Sequence, residues 1–303
     1  MSGLHGCTQM RSHIVSRFLS PDQKRKLKAI GHTLKSTYVR RFRSYDYSAL
    51  LASLEEIGVD RDGVLMVHSS YSAYNGFKGP PTRVVLALQE AIGAGGTLVM
   101  PSSPYTTSTK EYVKSGKVFD VRRTASRMGI VSEIFRRQRD TVRSLNPAHP
   151  VLASGPVASW LVAGHERCAH SCGPGSPFDK LVEKDAKVLF FDAQLTHLMF
   201  FHYLEHAVND ELPFPLYDSQ PHEVPVIDKD GKRRAVAVYP FSSEVMARRH
   251  FPVLEAELRK QSMVREQRVG NTTLTLVRVR DTLEATRTMA GRKEYFYNLS
   301  GCD

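Results

Sequence analysis

Short apolar runs alternate with amphipathic stretches along most of the 303-residue chain. In "YSALLASLEEIGV" the apolar residues recur at helical spacing with charged ones between, which predicts an amphipathic helix. The turn "DRDG" leads from it into "VLMVHSS", a run short and apolar enough for a buried strand. After the loop "YSAYNGFKGPP" comes a second helix, "TRVVLALQEAIG", which "AGG" should stop in the C-terminal glycine manner. "TLVMPSS" is another buried strand, and strand, loop, helix, strand at this spacing predicts an α/β unit.

Further along, "MGIVSEIFRRQRD" and "GPVASWLVAG" predict helices, and "AKVLFFDA" a third apolar strand. "THLMFFHYLEHAVND" is too long for a buried strand. It predicts a helix with Leu198, Phe201, His202 and Glu205 at i, i+3, i+4 and i+7, so that His202 and Glu205 share a face. "EVPVIDKDGKRRAVAVYPF" predicts a hairpin turning at Asp230-Gly231. "SEVMARRHFPVLEAELRKQ" is helical with an interruption at Pro252, and "NTTLTLVRVRDTLEAT" adds a strand and a helix start. With no repeat, low-complexity tract or clear linker, a single α/β domain over residues 45–303 is the economical expectation.

Composition adds one asymmetry. Hydrophobic residues make up 41% of the chain and charged residues 24%, as in ordinary globular proteins, but the net charge is +11. Residues 1–44 form a basic arm in which Arg11 to Arg43 carry ten Lys or Arg against the single acid Asp22. A helix is expected to begin in this arm near Ser20, a plausible N-cap. A solvated helix at the domain edge explains the arm, with a phosphate- or membrane-facing role as the sharper alternative. No zinc finger, RNP-type aromatic motif or heptad zipper follows, so a nucleic-acid partner is not expected. No apolar run is long enough to span a bilayer, and the N-terminus lacks a signal-peptide core, which points to the cytoplasm. Cys7, Cys168, Cys172 and Cys302 do not form a disulfide framework.

Three places could carry chemistry. The loop "HSSYSAYNGFKGPP" lies between a strand end and a helix start. Ser69, Ser70 and Ser72 supply hydroxyls, Gly76 and Gly79 allow close backbone approach, and Lys78 adds positive charge. It is neither a Walker loop nor GxGxxG, and taken alone it reads sooner as an ordinary Gly/Pro turn. "HERCAHSCGPG" alternates His165, Cys168, His170 and Cys172, but at no usual zinc spacing, so no metal is expected. The third is His202 with Glu205, which alone would more often be a packed histidine than a catalyst. His206, only about 40° round a helix from His202, is a second candidate partner on the same face.

Together these segments resemble the aminoglycoside 3-N-acetyltransferase family. "VLMVHSSYSAYNGFKGPP" is similar to its strand and cofactor loop, and "GAGGTLVMPSSP" to its second strand. "FDVRRTASRMGIVSEIFRR" matches the family's spacing at Phe119, Asp120, Thr124, Gly129, Glu133 and Arg136. "VRSLNPAHPVLASGP", "GPGSPFDKL", "KVLFFDA" and "HYLEH" follow in the family's order, so the resemblance runs from about Tyr45 to Thr286. It implies an α/β/α sandwich that binds acyl-CoA, acetyl-CoA or one with a longer acyl chain, with no metal. The pyrophosphate would lie at the first loop, and Ser69, Ser70, Ser72, Gly76, Lys78, Gly79 and Ser102 would be the cofactor-binding residues. It further implies that His202, the histidine of an HxxE helix, deprotonates an amine of a sugar, with Glu205 as its companion. The chemistry is sound, because an ammonium must lose a proton before attacking a thioester and imidazole titrates near neutrality. Backbone amides near the cofactor loop are candidates to stabilise the oxyanion.

The departures bear on the acceptor. Antibiotic-modifying members commonly carry a polar triplet where this chain has Leu198, Met199 and Phe200. The family's arginine–serine–x–histidine–proline is here Arg143, Ser144, Leu145, Asn146 and Pro147, with a second His-Pro at His149-Pro150. A tyrosine–aspartate–serine stretch after the hairpin is here Phe241, Ser242 and Ser243. Fewer acids and a net charge of +11 favour an anionic acceptor, such as a nucleotide-linked deoxyaminosugar destined for surface polysaccharide. A true aminoglycoside acetyltransferase, or a non-catalytic binding protein on the same fold, are the other expectations, and a homo-oligomer is left open.

Overall fold

The computed structural model describes residues 20–72 and 74–299. A seven-stranded mixed sheet forms its centre, in the order β4-β5-β2-β1-β6-β10-β9. The strands are β1 (Val64–Ser69), β2 (Thr97–Pro101), β4 (Val142–Arg143), β5 (Val151–Ser154), β6 (Lys187–Phe191), β9 (Arg265–Val269) and β10 (Thr272–Arg278). β1 runs parallel to β2 and to β6, while β5 and β10 lie antiparallel on either side of that trio. A small second sheet holds β3 (Phe119–Asp120), β7 (His222–Ile227) and β8 (Arg233–Val238), the last two forming the predicted hairpin.

Period-2 alternation in the strands divides the interior into two layers. Leu65, Val67, Leu98, Met100, Leu189 and Phe191 face one apolar core, covered by helices Tyr47–Ile57, Pro81–Ile92 and Ile130–Arg136. Met66, Val99, Val188 and Phe190 face the other, which packs helices Pro177–Glu183, Pro252–Lys260 and Val279–Gly291. The result is the α/β/α sandwich expected from the resemblance.

The basic arm is helical over Pro21–Phe42, and Ser20 caps it through a reciprocal pair with Gln23. The first nineteen residues of the arm, with Cys7, lie outside the described residues, as does Cys302. Pro252 does interrupt the helical stretch around it, as the first residue of its own helix, where a missing N–H costs nothing.

Three expectations need correction. Gly93, with φ +73°, caps helix Pro81–Ile92 ahead of the Ala-Gly-Gly triplet. The strands β3, β4, β5 and β9 are additional: β3 and β4 are two residues each, β5 is the four-residue run Val-Leu-Ala-Ser, and β9, Arg-Glu-Gln-Arg-Val, carries no apolar run. The helix predicted through "THLMFFHYLEHAVND" is broken. A 3-10 turn covers Leu195–His197, Leu198 is extended with ψ 102°, and the α-helix is only Phe201–Ala207. Helical periodicity reads through the break because Leu198, Phe201 and Leu204 are all buried in the same core.

Candidate active site

The parallel strands β1 and β2 end side by side, and β5 begins at the same edge because it runs antiparallel to β2. This end of an open α/β sheet, outside the carboxyl ends of its strands, is where such folds place ligands. Ser69 and Ser70 close β1 and Ser102 follows β2. The Oγ atoms of Ser69 and Ser102 are both buried without a hydrogen-bond partner. Two orphaned hydroxyls at adjacent strand ends fit a ligand rich in acceptors, such as the phosphate and amide groups of CoA.

The rest of the predicted cofactor loop makes contacts within the protein. Ser72 Oγ accepts the Tyr74 amide at 3.2 Å, closing a local turn. Gly76 has φ +85°, and a Cβ there would collide with the Arg43 carbonyl, so this glycine is needed to seat the end of the arm. Lys78 is exposed and its amide donates to Tyr45 O at 2.8 Å; Gly79 O accepts from the Tyr71 hydroxyl at 3.1 Å. The amides of Ser70, Tyr74, Phe77 and Lys78 are all donated within the protein, which removes these four from the amides expected to meet an oxyanion.

His202 and Glu205 meet as their spacing predicts. His202 Nδ1 lies 2.8 Å from Glu205 Oε2. Glu205 is wholly buried and its carboxylate is saturated. Oε1 accepts from Arg249 Nε at 2.6 Å and from the Tyr297 hydroxyl at 2.7 Å, while Oε2 also accepts from Arg249 Nη2 at 2.7 Å. Burial alone would raise the carboxyl, but Arg249 and the His202 hydrogen bond outweigh it and hold Glu205 ionised below its usual range. An ionised Glu205 can only accept, so Nδ1 of His202 carries the proton and Nε2 is left unprotonated. Burial, with Arg249 adding to it, lowers the His202 pKa below the ordinary imidazole value despite the opposing pull of Glu205. The ring is therefore neutral at pH 7.

His206 is not a partner of His202. Its Nδ1 lies 3.0 Å from the Tyr217 hydroxyl, and Tyr217 stacks on His170 with ring centroids 3.9 Å apart. Both nitrogens of His165 are taken, by Ser144 Oγ and Ser171 O. Among the described residues no group of three or more His, Cys, Asp or Glu side chains is arranged to hold a metal ion.

A pocket of about 180 Å³ opens over His202, lined also by Tyr105, Thr109, Lys110, His149, Phe241 and Arg249. Sequence reasoning singled out neither Arg249 nor Tyr297, since the first stands 44 residues from Glu205 and the second 92. His149 had a signal, the second His-Pro. Asn146 Oδ1 accepts the amides of Ala148 and His149, which presents the His149 ring 5.0 Å from that of His202. Burial, then His202, keeps His149 far below its ordinary pKa, with Nδ1 on Ser171 Oγ at 2.6 Å. The stretch matching tyrosine–aspartate–serine does stand beside the site: the Phe241 ring is 4.8 Å from that of His202. Ser242 turns away to cap helix Ser243–Arg248 and to donate to Pro215 O.

Comparison with known proteins bears on the family and the fold. The family model described as aminoglycoside 3-N-acetyltransferase matches residues 66–290. Aminoglycoside N(3)-acetyltransferase III of Serratia marcescens is 28% identical over 207 residues, covering 64% of this chain and 75% of that protein. Aminoglycoside N(3)-acetyltransferase IV of a Salmonella species is 29% identical over 254 residues, covering 80% and 86%. Among solved structures, the binary complex of AAC-IIIb with CoASH superposes with a TM-score of 0.70 at 23% identity, over 83% of this chain and 98% of that one. The apoenzyme of aminoglycoside acetyltransferase AAC(3)-IVa superposes with a TM-score of 0.66 at 26% identity, over 82% and 89%.

Proposed function

The chain belongs to the aminoglycoside 3-N-acetyltransferase family, and from that premise we propose that His202 is the general base that frees the amine of an amino sugar for acylation. The enzyme is an acyl-CoA-dependent N-acyltransferase. The observation that carries the reading is the saturated Glu205, which fixes the proton on His202 Nδ1 and leaves Nε2 for the pocket that His202 lines.

Acyl-CoA, when bound, supplies an activated thioester carbonyl. His202 Nε2 takes one proton from the acceptor's ammonium and gives it up to solvent; the freed lone pair attacks the thioester carbonyl, and Nε2 takes a second proton from that nitrogen as the amide bond forms and the C–S bond breaks. The imidazolium then returns its proton to the departing thiolate, so His202 ends neutral and no acyl-enzyme is needed. Glu205 stabilises the transient imidazolium through the Nδ1 bond, and Arg249 and Tyr297 hold Glu205 in place. Ser69 and Ser102 are the cofactor contacts we favour, with Ser70 at the exposed end of β1. Residues 45–303 are the catalytic unit in this reading, the arm of residues 1–44 is accessory, and the cytoplasm is its place of action.

The relatives' names carry aminoglycosides as acceptors, and that class comes first for this chain. A second reading, a nucleotide-linked deoxyaminosugar, is favoured by one observation. The charged residues lining the pocket are Lys110 and Arg249, no carboxylate lines it, and the nearby Asp218 is paired with Lys110 at 2.8 Å. A polycation gains little from such a wall. A thiol-release screen with acetyl-CoA, kanamycin-type aminoglycosides and nucleotide-linked 3-amino and 4-amino deoxysugars separates the two. Turnover of aminoglycosides alone discards the second reading, and turnover of neither class discards both.

A further inference from the structure

A second, roomier cavity lies away from His202. It is a groove of about 910 Å³ that shares no lining residue with the catalytic pocket. It runs along the edge strand β4, between the end of helix Ile130–Arg136 and the tip of the β7–β8 hairpin. Seven basic side chains line it against three carboxylates. Asp228 is paired with Arg234 at 2.9 Å, and Glu133 beneath the groove pairs with both Arg136 and Arg137, so several of these charges are matched internally.

Arg143 is not. It is the second residue of β4, and its guanidinium donates to the carbonyls of Thr124 and Ser102 while lying 4.6 Å from the Phe119 ring centroid. Among the described residues no carboxylate forms an ion pair with it, and its Nε is buried without a hydrogen-bond partner. Thr141, just before β4, also lines the groove and has a buried Oγ1 that is unpartnered. Burial and Arg136 lower the Arg143 pKa to about 9, which still leaves a full positive charge at neutral pH. Arg122 and Arg139 stand exposed at the rim. A partly buried guanidinium with no carboxylate partner, two orphaned polar atoms and a basic rim beside one open cavity are the features of an oxyanion site, and guanidinium forks match phosphate geometry best.

We propose that this groove is a second ligand site, separate from that of acyl-CoA, and that it binds a phosphate-bearing small molecule through Arg143, Thr141 and the Arg122–Arg139 rim. A ligand there would brace β4 and the β4–β5 loop that follows it, the loop that carries Asn146 and presents His149 to the catalytic pocket.

The test is calorimetric titration of the full chain with pyrophosphate, alone and saturated with CoA, alongside the variant R122E/R139E. Both replaced residues are exposed, so the variant should keep its melting temperature and its turnover with acetyl-CoA. The expected result is pyrophosphate binding that weakens with salt, is unchanged by CoA and falls at least tenfold in R122E/R139E. No binding to the wild type, equal binding to the variant, or displacement of pyrophosphate by CoA would each overturn the proposal, the last by assigning the groove to the phosphates of CoA.

Discussion

The Arg249 guanidinium meets both oxygens of Glu205, with Nε 2.6 Å from Oε1 and Nη2 2.7 Å from Oε2. Glu205 has no solvent exposure, and Arg249 keeps about a fifth of its side-chain surface. This fork does two things. It keeps a buried carboxylate ionised, and it aims the remaining lone pair of Oε2 at His202 Nδ1. The pair is therefore structural and functional together.

Removing one member of a buried pair strands the other, which typically costs about 3–5 kcal/mol. R249M should lose about 3 kcal/mol in urea unfolding, at the low end because Glu205 can still protonate and keeps Tyr297. Because the fold holds the Glu205 carboxyl low, its contribution to stability is complete above the unfolded pKa of about 4.3 and is lost as the pH falls through the lower folded value. The stability gap between wild type and R249M should therefore narrow on acidification below about pH 4. A gap that widens there would contradict the assignment.

The orphaned hydroxyls at the strand ends give a prediction that separates folding from binding. Ser69 and Ser102 lose no hydrogen bond within the protein when truncated, so S69A and S102A should unfold within about 0.5 kcal/mol of wild type. If they bond the cofactor, each deletion removes about 1 kcal/mol of binding, a roughly fivefold rise in the CoA dissociation constant. Unchanged CoA affinity in both variants would remove them from the cofactor site.

The pH profile follows from the His202 environment. Burial, reinforced by Arg249, sets its pKa below the usual imidazole value of 6.5, so the base is already deprotonated through the neutral range. A plot of kcat/KM against pH should be flat near neutrality and fall on the acid side with a midpoint below 6.5. A midpoint above 7 would mean that another group titrates.

Much of this was legible in the sequence. Period-2 runs such as Leu65-Met66-Val67 alternate between two cores, so the sandwich is written locally, and so is the His202–Glu205 contact, three residues apart on one helical turn. What was hidden depends on tertiary closure. Arg249 and Tyr297 reach Glu205 from distant segments, and no local pattern marks them. The loop with Gly76 and Lys78 reads as a phosphate cradle because it is a Gly- and Lys-bearing loop after a strand, and the local pattern does not show what else it holds. In the fold that loop also has to seat the arm, and Gly76 is required by the Arg43 backbone. The long helix was misread because burial at Leu198 mimics helical periodicity across an extended residue.

The most direct measurement is steady-state turnover of H202A with acetyl-CoA and whichever acceptor the wild type uses, paired with CoA binding by calorimetry. Loss of a positioned base predicts a fall in kcat of about a hundred- to ten-thousandfold with CoA affinity and melting temperature near those of wild type. Turnover within a few-fold of wild type, in a folded variant that binds CoA, would contradict His202 as the base.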